Sequence, residues 1–377
     1  MTEKYTALYE EHKRLGASFT DFGGWQMPLK YSSELAEHHA VRKAAGLFDL
    51  SHMGEVEVAG PDAGAFLDYA LTGKLSAVKV GRAKYSLITN ADGGIIDDLI
   101  SYRLAGDSFL VVPNAGNAPV VAAELAARAE GFDVTVRDAS ALTSLIAVQG
   151  PQAEAIVLAL VPADQAEKVS AMKYYAADTV DLAVPAAAGS RTLHLLLART
   201  GYTGEDGFEI YVPNDDAAAL WSALLAAGAE SGLIPAGLAC RDSLRLEAGM
   251  PLYGNELSLD LDPYAAGLGG VVALSKEGDF VGRAALEAKK EQVPSRRLVG
   301  LLGAGRRSAR SHYPVLADGA VIGEVTSGAP SPTLGQPIAL AYVDTAFAEP
   351  GTGLHVDLRG KPEPFTVVEL PFYKRGR

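Results

Sequence analysis

Cysteine is nearly missing from this chain of 377 residues: Cys240 stands alone. A single thiol excludes an intramolecular disulfide and any thiolate zinc or iron–sulfur cluster built from this chain, and it fits a reducing compartment. Long apolar runs are also lacking. LHLLLA (193–198) is only strand-length, far short of the roughly 18 residues that a membrane span needs, and MTEKYTALYEEHKRLG at the start carries charge throughout with no apolar stretch of a secretory signal. Positive charge is in deficit. With 33 Lys and Arg against 46 Asp and Glu the formal charge is −13, which speaks against a general binder of nucleic acid or anionic membrane, since counterion release requires basic contacts. The familiar nucleotide and protease signatures are missing too: there is no G-x-x-x-x-G-K-[ST], G-x-G-x-x-G, G-x-S-x-G or H-E-x-x-H. His38, His39 and His52 lack a metal-ligand spacing and read as a solvated helix face, because adjacent helical residues point about 100° apart. No metal is expected.

What is present describes a globular protein. Hydrophobic residues make up 48% and charged residues 21%, which excludes the disordered class, and the length exceeds the roughly 250–300 residues at which a single core stops growing. Charge divides the chain in two: residues 1–280 hold 20 basic and 37 acidic residues, and residues 281–377 hold 13 and 9. The change falls near KKEQVPSRR (289–297), a polar stretch with a proline that reads as a linker. A region over 1–285 and a second over 295–377 are therefore expected. Helices are expected at 34–45 with Ser32 or Ser33 as cap and Gly46 past the end, at 61–71, 119–130, 151–160, 215–231 and 236–248. Strands KYSLIT, IIDDLISYRL, FLVVP, SLIAVQ, LHLLLART and FEIYV fit between them. After 297 the pattern becomes short strands separated by Gly, Pro and Asp, as in a small all-β barrel or sandwich.

Three segments carry the candidate chemistry. KYSLITNADGGIIDDLISYRL (84–104) reads as two strands around the Asn90–Gly94 turn. Alternation puts Asp98 on a stripe with Ile96, Ile100, Tyr102 and Leu104, and Asp97 on the other face with Ser101 and Arg103. A carboxylate in an apolar stripe is desolvated unless it is paired or functional. Asp98 thus reads either as a working acid or as a buried acceptor of backbone hydrogen bonds, and Asp97 as a structural partner of Arg103. ARTGYTGEDGFEIYV (198–212) reads as two strands around a turn in which Gly201, Gly204 and Gly207 allow close approach. Glu209 and Tyr211 share one face, with a solvated strand face as the plainer alternative, and Glu205 and Asp206 read as turn formers. In PAGLACRDSLRLEAGMPLYG (235–254), Arg241 and Arg245 are neighbours at i,i+4. They suit a carboxylate-bearing ligand, unless Asp242 and Glu247 neutralise them locally. Cys240 reads as a small buried side chain.

These segments, together with LGASFTDFGGWQMPLKY (15–31), VRKAAGLFDLSHMGEV (41–56) and TSGAPSPTLGQPIALAYV (326–343), closely resemble the T-protein family of the glycine cleavage system. The likeness runs from about residue 5 to 373. It implies an α+β fold of several subdomains in a cloverleaf around a folate channel, the last a β-barrel. The implied activity is an aminomethyltransferase of the cytoplasm or an organellar matrix. It would take the aminomethyl group from the lipoyl arm of H-protein and pass its one-carbon unit to tetrahydrofolate as co-substrate. Carried over by motif, Asp98 in GGIIDDL matches the family's catalytic aspartate. Tyr85, Asn114, Tyr202, Glu209 and Arg241 match positions lining the folate site, with Glu209 on the polar edge of the pterin. One departure is visible: Gly267-Leu268-Gly269-Gly270-Val271 stands where many members carry an aromatic residue. Two other readings share the fold. One is a folate-dependent demethylase; the other is a folate-binding maintenance protein, whose motif carries a cysteine where this chain has Gly201.

Overall fold

In the computed structural model, residues 3–186 and 189–376 are described; Arg377 of the basic tail lies outside them. The chain forms two compact units. The first comprises residues 1–66, 75–84 and 100–241, and the second 67–74, 85–99 and 242–377.

The first unit begins with α1 (Tyr9–Arg14), the hairpin β1 (Ser18–Phe22) and β2 (Trp25–Lys30), and α2 (Glu34–Lys43). Ser33 caps α2, its hydroxyl accepting from the Ala36 amide at 3.1 Å, which settles the choice between the two serines. Gly46 does not close this helix. It lies in β3 (Ala45–Asp49), buried along its whole length, and a Cβ there would stand 2.5 Å from Val41. Along the chain next come β4 (Val56–Ala59), α3 (Ala63–Ala70), the long hairpin β5 (Arg82–Thr89) and β6 (Ile95–Ala105), whose residues 85–99 belong to the second unit, β7 (Ser108–Pro113), α4 (Ala118–Arg128), β8 (Thr135–Asp138) and β9 (Thr143–Gln149). After α5 (Ala153–Leu158) and α6 (Ala166–Ser170), the strands β10 (Ala177–Ala186), β11 (Gly189–Ala198) and β12 (Gly207–Pro213) lead to α7 (Asn214–Gly228), β13 (Leu233–Pro235) and α8 (Leu238–Glu247).

Two sheets result, a six-stranded one in the order β10-β11-β12-β9-β3-β13 and a five-stranded one in the order β5-β6-β7-β4-β8. The six-stranded sheet is antiparallel except for the β13–β3 pair. Its core gathers Leu47, Ile146, Val148, Phe208, Ile210 and Val212 under α7. Helix α7 covers them with Ala217, Leu220, Trp221, Leu224 and Gly228, a stripe at i, i+3, i+4, i+7 of the kind that buries one helix face.

The second unit ends in a closed barrel in the order β14-β17-β16-β15-β18-β19, formed by β14 (Arg296–Gly303), β15 (Pro314–Ala317), β16 (Ala320–Ser331), β17 (Gln336–Asp344), β18 (Gly353–Asp357) and β19 (Pro362–Val368). It follows α9 (Arg283–Lys290). Period-two alternation sorts its side chains: Val299, Leu301, Ala339, Ala341 and Val343 fill the interior, while Leu298, Leu302, Ile338 and Leu340 pack outside with Leu246, Leu370 and Phe372. Closure leaves no open edge in this sheet. The short elements escaped the sequence reading. Helices α1, α6 and α9 and strands β1–β4, β8, β10, β13 and β15 were not expected; most span only one or two turns or a few residues, too little for a period to show.

Candidate functional site

Tyr85 and Asp98 come together in the second unit. The hairpin that carries them is closed by Asn90, whose side-chain oxygen accepts from the amides of Asp92 at 3.0 Å and Gly94 at 2.8 Å. Gly93 has φ +78°, and a Cβ on Gly94 would meet the Leu259 carbonyl at 2.1 Å, so neither turn glycine admits a side chain. With the turn set, the Tyr85 hydroxyl donates to Asp98 Oδ2 at 2.9 Å. Tyr85 also packs with Tyr253, Leu268 and Val271 around Leu87, Ile95 and Leu257. Tyr253 donates to the Ile95 carbonyl at 3.1 Å. Burial raises the Tyr253 phenol, and the charges of Asp97, Asp98 and Asp260 raise it further.

The expected order of burial along β6 is reversed. Asp97, with Ile95, Leu99 and Ser101, is fully buried, whereas Asp98 is half-buried, Ile100 is half-buried and Leu104 is exposed. Strand β6 lies between β5 and β7, and both of its faces are covered over most of its length, so alternation does not separate an inner from an outer acid. Arg103 is not the partner expected for Asp97: its guanidinium donates to the carbonyls of Ser76, Val78, Ala105 and Gly106.

Asn114, Tyr202, Glu209 and Arg241 belong to the first unit. Glu209, half-buried on β12, is held rather than solvated: its Oε2 accepts from the Tyr102 hydroxyl at 3.2 Å and from the Thr200 hydroxyl. The hydroxyls of Tyr102 and Thr200 lie 2.9 Å apart. Neither residue was singled out in the sequence as a partner of Glu209; Thr200 abuts the GYTGEDG motif, but Tyr102 lies 107 positions away. The Arg241 guanidinium stands 4.5 Å from the centroid of the Tyr202 ring, a cation–π stack. Asn114 follows β7, and its carbonyl accepts from the Asn117 amide at 2.9 Å in the turn that leads to α4.

The 199–207 turn is pinned from both ends, so Glu205 and Asp206 are more than turn formers. Arg42 donates to Glu205 Oε1 at 2.9 Å and to the Thr203 carbonyl at 2.7 Å. Arg199 pairs with Asp206 and with Glu154. Gln149 donates to the Thr200 carbonyl and accepts from the Thr203 hydroxyl. A Cβ on Gly201 would stand 2.0 Å from Gln149 Oε1.

Arg245 does not form a fork with Arg241 for a ligand. It is 1% exposed and spent on Asp242, Glu256, Ser327 and the Met250 carbonyl. The Asp242 pairing agrees with the plainer alternative, whereas Glu247 binds Ser331 and Thr333 instead. Cys240 is buried and donates to the Gly237 carbonyl at 3.3 Å; burial pushes its thiol up. The histidines are not a solvated face: His38 and His52 are buried. Burial, and then the Arg241 cation, push His52 down to about 4 against an opposing pull from Asp49.

Comparison with known proteins decides the family. Residues 8–276 match the GCVT N-terminal domain and residues 296–374 the glycine cleavage T-protein C-terminal barrel domain. The chain belongs to the glycine cleavage T-protein family. Relatives named aminomethyltransferase are 58% identical in Streptomyces avermitilis, covering 99% of this chain and 98% of that one, and 56% identical in Cutibacterium acnes over the full length of both. The crystal structure of glycine cleavage system aminomethyltransferase T from Bartonella henselae superposes with a TM-score of 0.89 at 39% identity, covering 99% of each chain. Within the T-protein family, the departure at 267–271 has a local form: Gly269–Val271 is a 3₁₀ turn, and a Cβ on Gly270 would meet nothing within 4 Å. A Cβ on the neighbouring Gly269 would instead meet the Tyr264 ring at 2.8 Å, so of these two glycines only Gly270 is open.

Proposed function

We propose that this protein is the aminomethyltransferase of a glycine cleavage system, acting in the cytoplasm on the aminomethylated lipoyl arm of H-protein. Two carbon–nitrogen bonds form from the methylene carbon to tetrahydrofolate, while its bonds to the carrier sulfur and to the amine break. The two protons lost by the folate nitrogens are taken up by the thiol and by ammonia, so 5,10-methylenetetrahydrofolate, ammonia and the dihydrolipoyl arm leave. The observation that carries this reading is full-length identity of 58% to a relative named aminomethyltransferase. We divide the chain for this activity into a folate-binding region over 1–285 and a barrel domain over 295–377.

In this reading Asp98 accepts a hydrogen bond from the attacking folate nitrogen and steers its lone pair to the methylene carbon. The Tyr85 hydroxyl at 2.9 Å keeps the carboxylate in one rotamer. Glu209 takes the two donors on the polar edge of the pterin, as a carboxylate facing an aminopyrimidine does, and its second duty to Tyr102 and Thr200 fixes its plane. Tyr202 and Arg241, stacked on one another, wall the pocket and supply a cation for folate, and Asn114 lines it. Holding carrier and folate in contact supplies much of the acceleration, and one placed carboxylate adds to it.

Ammonia release from aminomethylated H-protein, with and without tetrahydrofolate, tests the proposal. Folate-dependent release is expected; release that ignores folate, or none at all, overturns it. Asp98→Asn should lower kcat by about 10²–10³ while folding normally and still binding folate, and near-wild-type turnover would remove Asp98 from the mechanism.

A further inference from the structure

Glu37, on α2 in the first unit, is fully buried, and three backbone amides donate into its carboxylate. Tyr31 at 2.7 Å and Ser32 at 2.9 Å reach Oε1, and Gly237 at 3.0 Å reaches Oε2. Gly237 is the residue before α8, and its carbonyl accepts from the Arg241 amide at 3.2 Å. That bond opens the helix and makes Gly237 its N-cap. In a capping box the residue three positions on returns a carboxylate to the N-cap amide. Here that residue is Cys240, whose thiol donates to the Gly237 carbonyl instead. A side chain on Gly237 itself has no room, because its Cβ would stand 2.2 Å from the Leu29 carbonyl. The missing acceptor therefore comes from Glu37, 200 positions away in the chain.

Helix α2 ties down both partners of the Tyr202–Arg241 stack. Arg42 donates to the Thr203 carbonyl and to Glu205, which fixes the turn carrying Tyr202. Glu37 fixes Gly237, one turn before Arg241. The 4.5 Å separation of guanidinium and ring is thus set by two backbones hung from one helix. We infer that Glu37 is a positioning residue for Arg241, its carboxylate capping the start of α8 so that the guanidinium lies on the Tyr202 ring. This inference rests on Arg241 as a cation for folate. A carboxylate only accepts, whereas a carboxamide has one accepting oxygen and an NH₂ that donates. Glu37→Gln therefore sets a donor against a donor at one end of the bridge, either at Tyr31 and Ser32 or at Gly237.

Two measurements on the full-length protein test it. In the first, Glu37→Gln should weaken tetrahydrofolate binding about tenfold, the scale of one hydrogen bond to a charged group. KM for folate should rise with kcat little changed, because a contact made alike in ground and transition states leaves kcat alone. In an Arg241→Met background the same substitution should weaken binding by less than about twofold, since two residues that act through one contact do not add. Wild-type affinity in a folded Glu37→Gln, or an equal loss in both backgrounds, overturns the inference. The second measurement needs no folate. In nuclear magnetic resonance spectra the Tyr202 ring current should move the Arg241 side-chain protons upfield, a shift that Tyr202→Leu abolishes and Glu37→Gln reduces. A shift that Glu37→Gln leaves unchanged overturns the inference whatever the affinities do. If circular dichroism shows that Glu37→Gln does not fold, Glu37→Asp, which keeps both oxygens and falls one methylene short, replaces it in both measurements. Unfolding of both variants makes Glu37 a residue of the fold alone and also overturns the inference. A wild type that binds no folate would instead sink the proposed function, and the Arg241 resonances would still decide whether Glu37 positions the stack.

Discussion

An acid inside a protein needs a cation, a set of donors or a proton, and the acids of this chain use all three. Glu205 takes Arg42, Glu209 takes two hydroxyls, Asp98 takes one phenol, and burial followed by the charge of Asp138 pushes the Glu55 carboxyl up to about 9, toward the protonated form. The last has a consequence for stability. A carboxyl whose folded value is raised from 4.5 to about 9 contributes stability that is fully present below about pH 4.5 and is lost as pH rises toward 9. By pH 7 the loss is on the order of 3 kcal/mol. Glu55→Gln should therefore melt at a higher temperature than the wild type at pH 8 and at about the same temperature near pH 4.5, which calorimetry across pH will read. Gly201 makes the opposite case, a position with no room. Gly201→Cys must displace Gln149, 2.0 Å away, and should lose about 1–3 kcal/mol by overpacking, measured by urea denaturation. That closed position also leaves no place for the cysteine of the maintenance-protein reading. That Asp98 shares a face of its strand with Ile96, Ile100 and Tyr102 was legible from alternation. The deeper burial of Asp97 was not, because a period of two shows which residues share a face and says nothing of what covers that face.

At the scale of elements, the longer helices α2, α4, α7 and α8 were legible from periodicity and caps, since ten or more residues give an apolar stripe room to repeat. The 199–207 turn was legible as a turn from its glycines, but its fastening was not. Arg42 lies on α2, 163 positions from Glu205, and no local pattern announces a partner at that distance. Both side chains are 5% exposed, so removing one strands the other in a low-dielectric site. Arg42→Met should cost about 3–5 kcal/mol, and Arg42→Met with Glu205→Met should recover most of it. Chemical denaturation of the two variants measures the difference. The single variant should also weaken tetrahydrofolate binding, because the turn carries Tyr202 and leads into β12 with Glu209.

At the scale of the whole molecule, charge is unevenly shared: residues 281–377 hold 13 basic and 9 acidic residues in a chain of net charge −13. Complementary charge acts mainly on the rate of encounter. If that segment steers an acidic H-protein, kcat/KM for the carrier should fall as salt rises from 50 to about 300 mM while kcat stays level, and stopped-flow association indifferent to salt would remove the idea. Sequence alone determined the all-β character after residue 297, the main helices, the exclusion of a disulfide within the chain by its one cysteine and the family, because those rest on local periodicity, composition and long motifs. The tertiary structure alone decided which acids are buried, which arginine is buried in ion pairs and which hydroxyls hold Glu209. Burial, hydrogen bonding and ion pairing are set by residues brought together from distant parts of the chain, and that proximity is a property of packing rather than of any one segment.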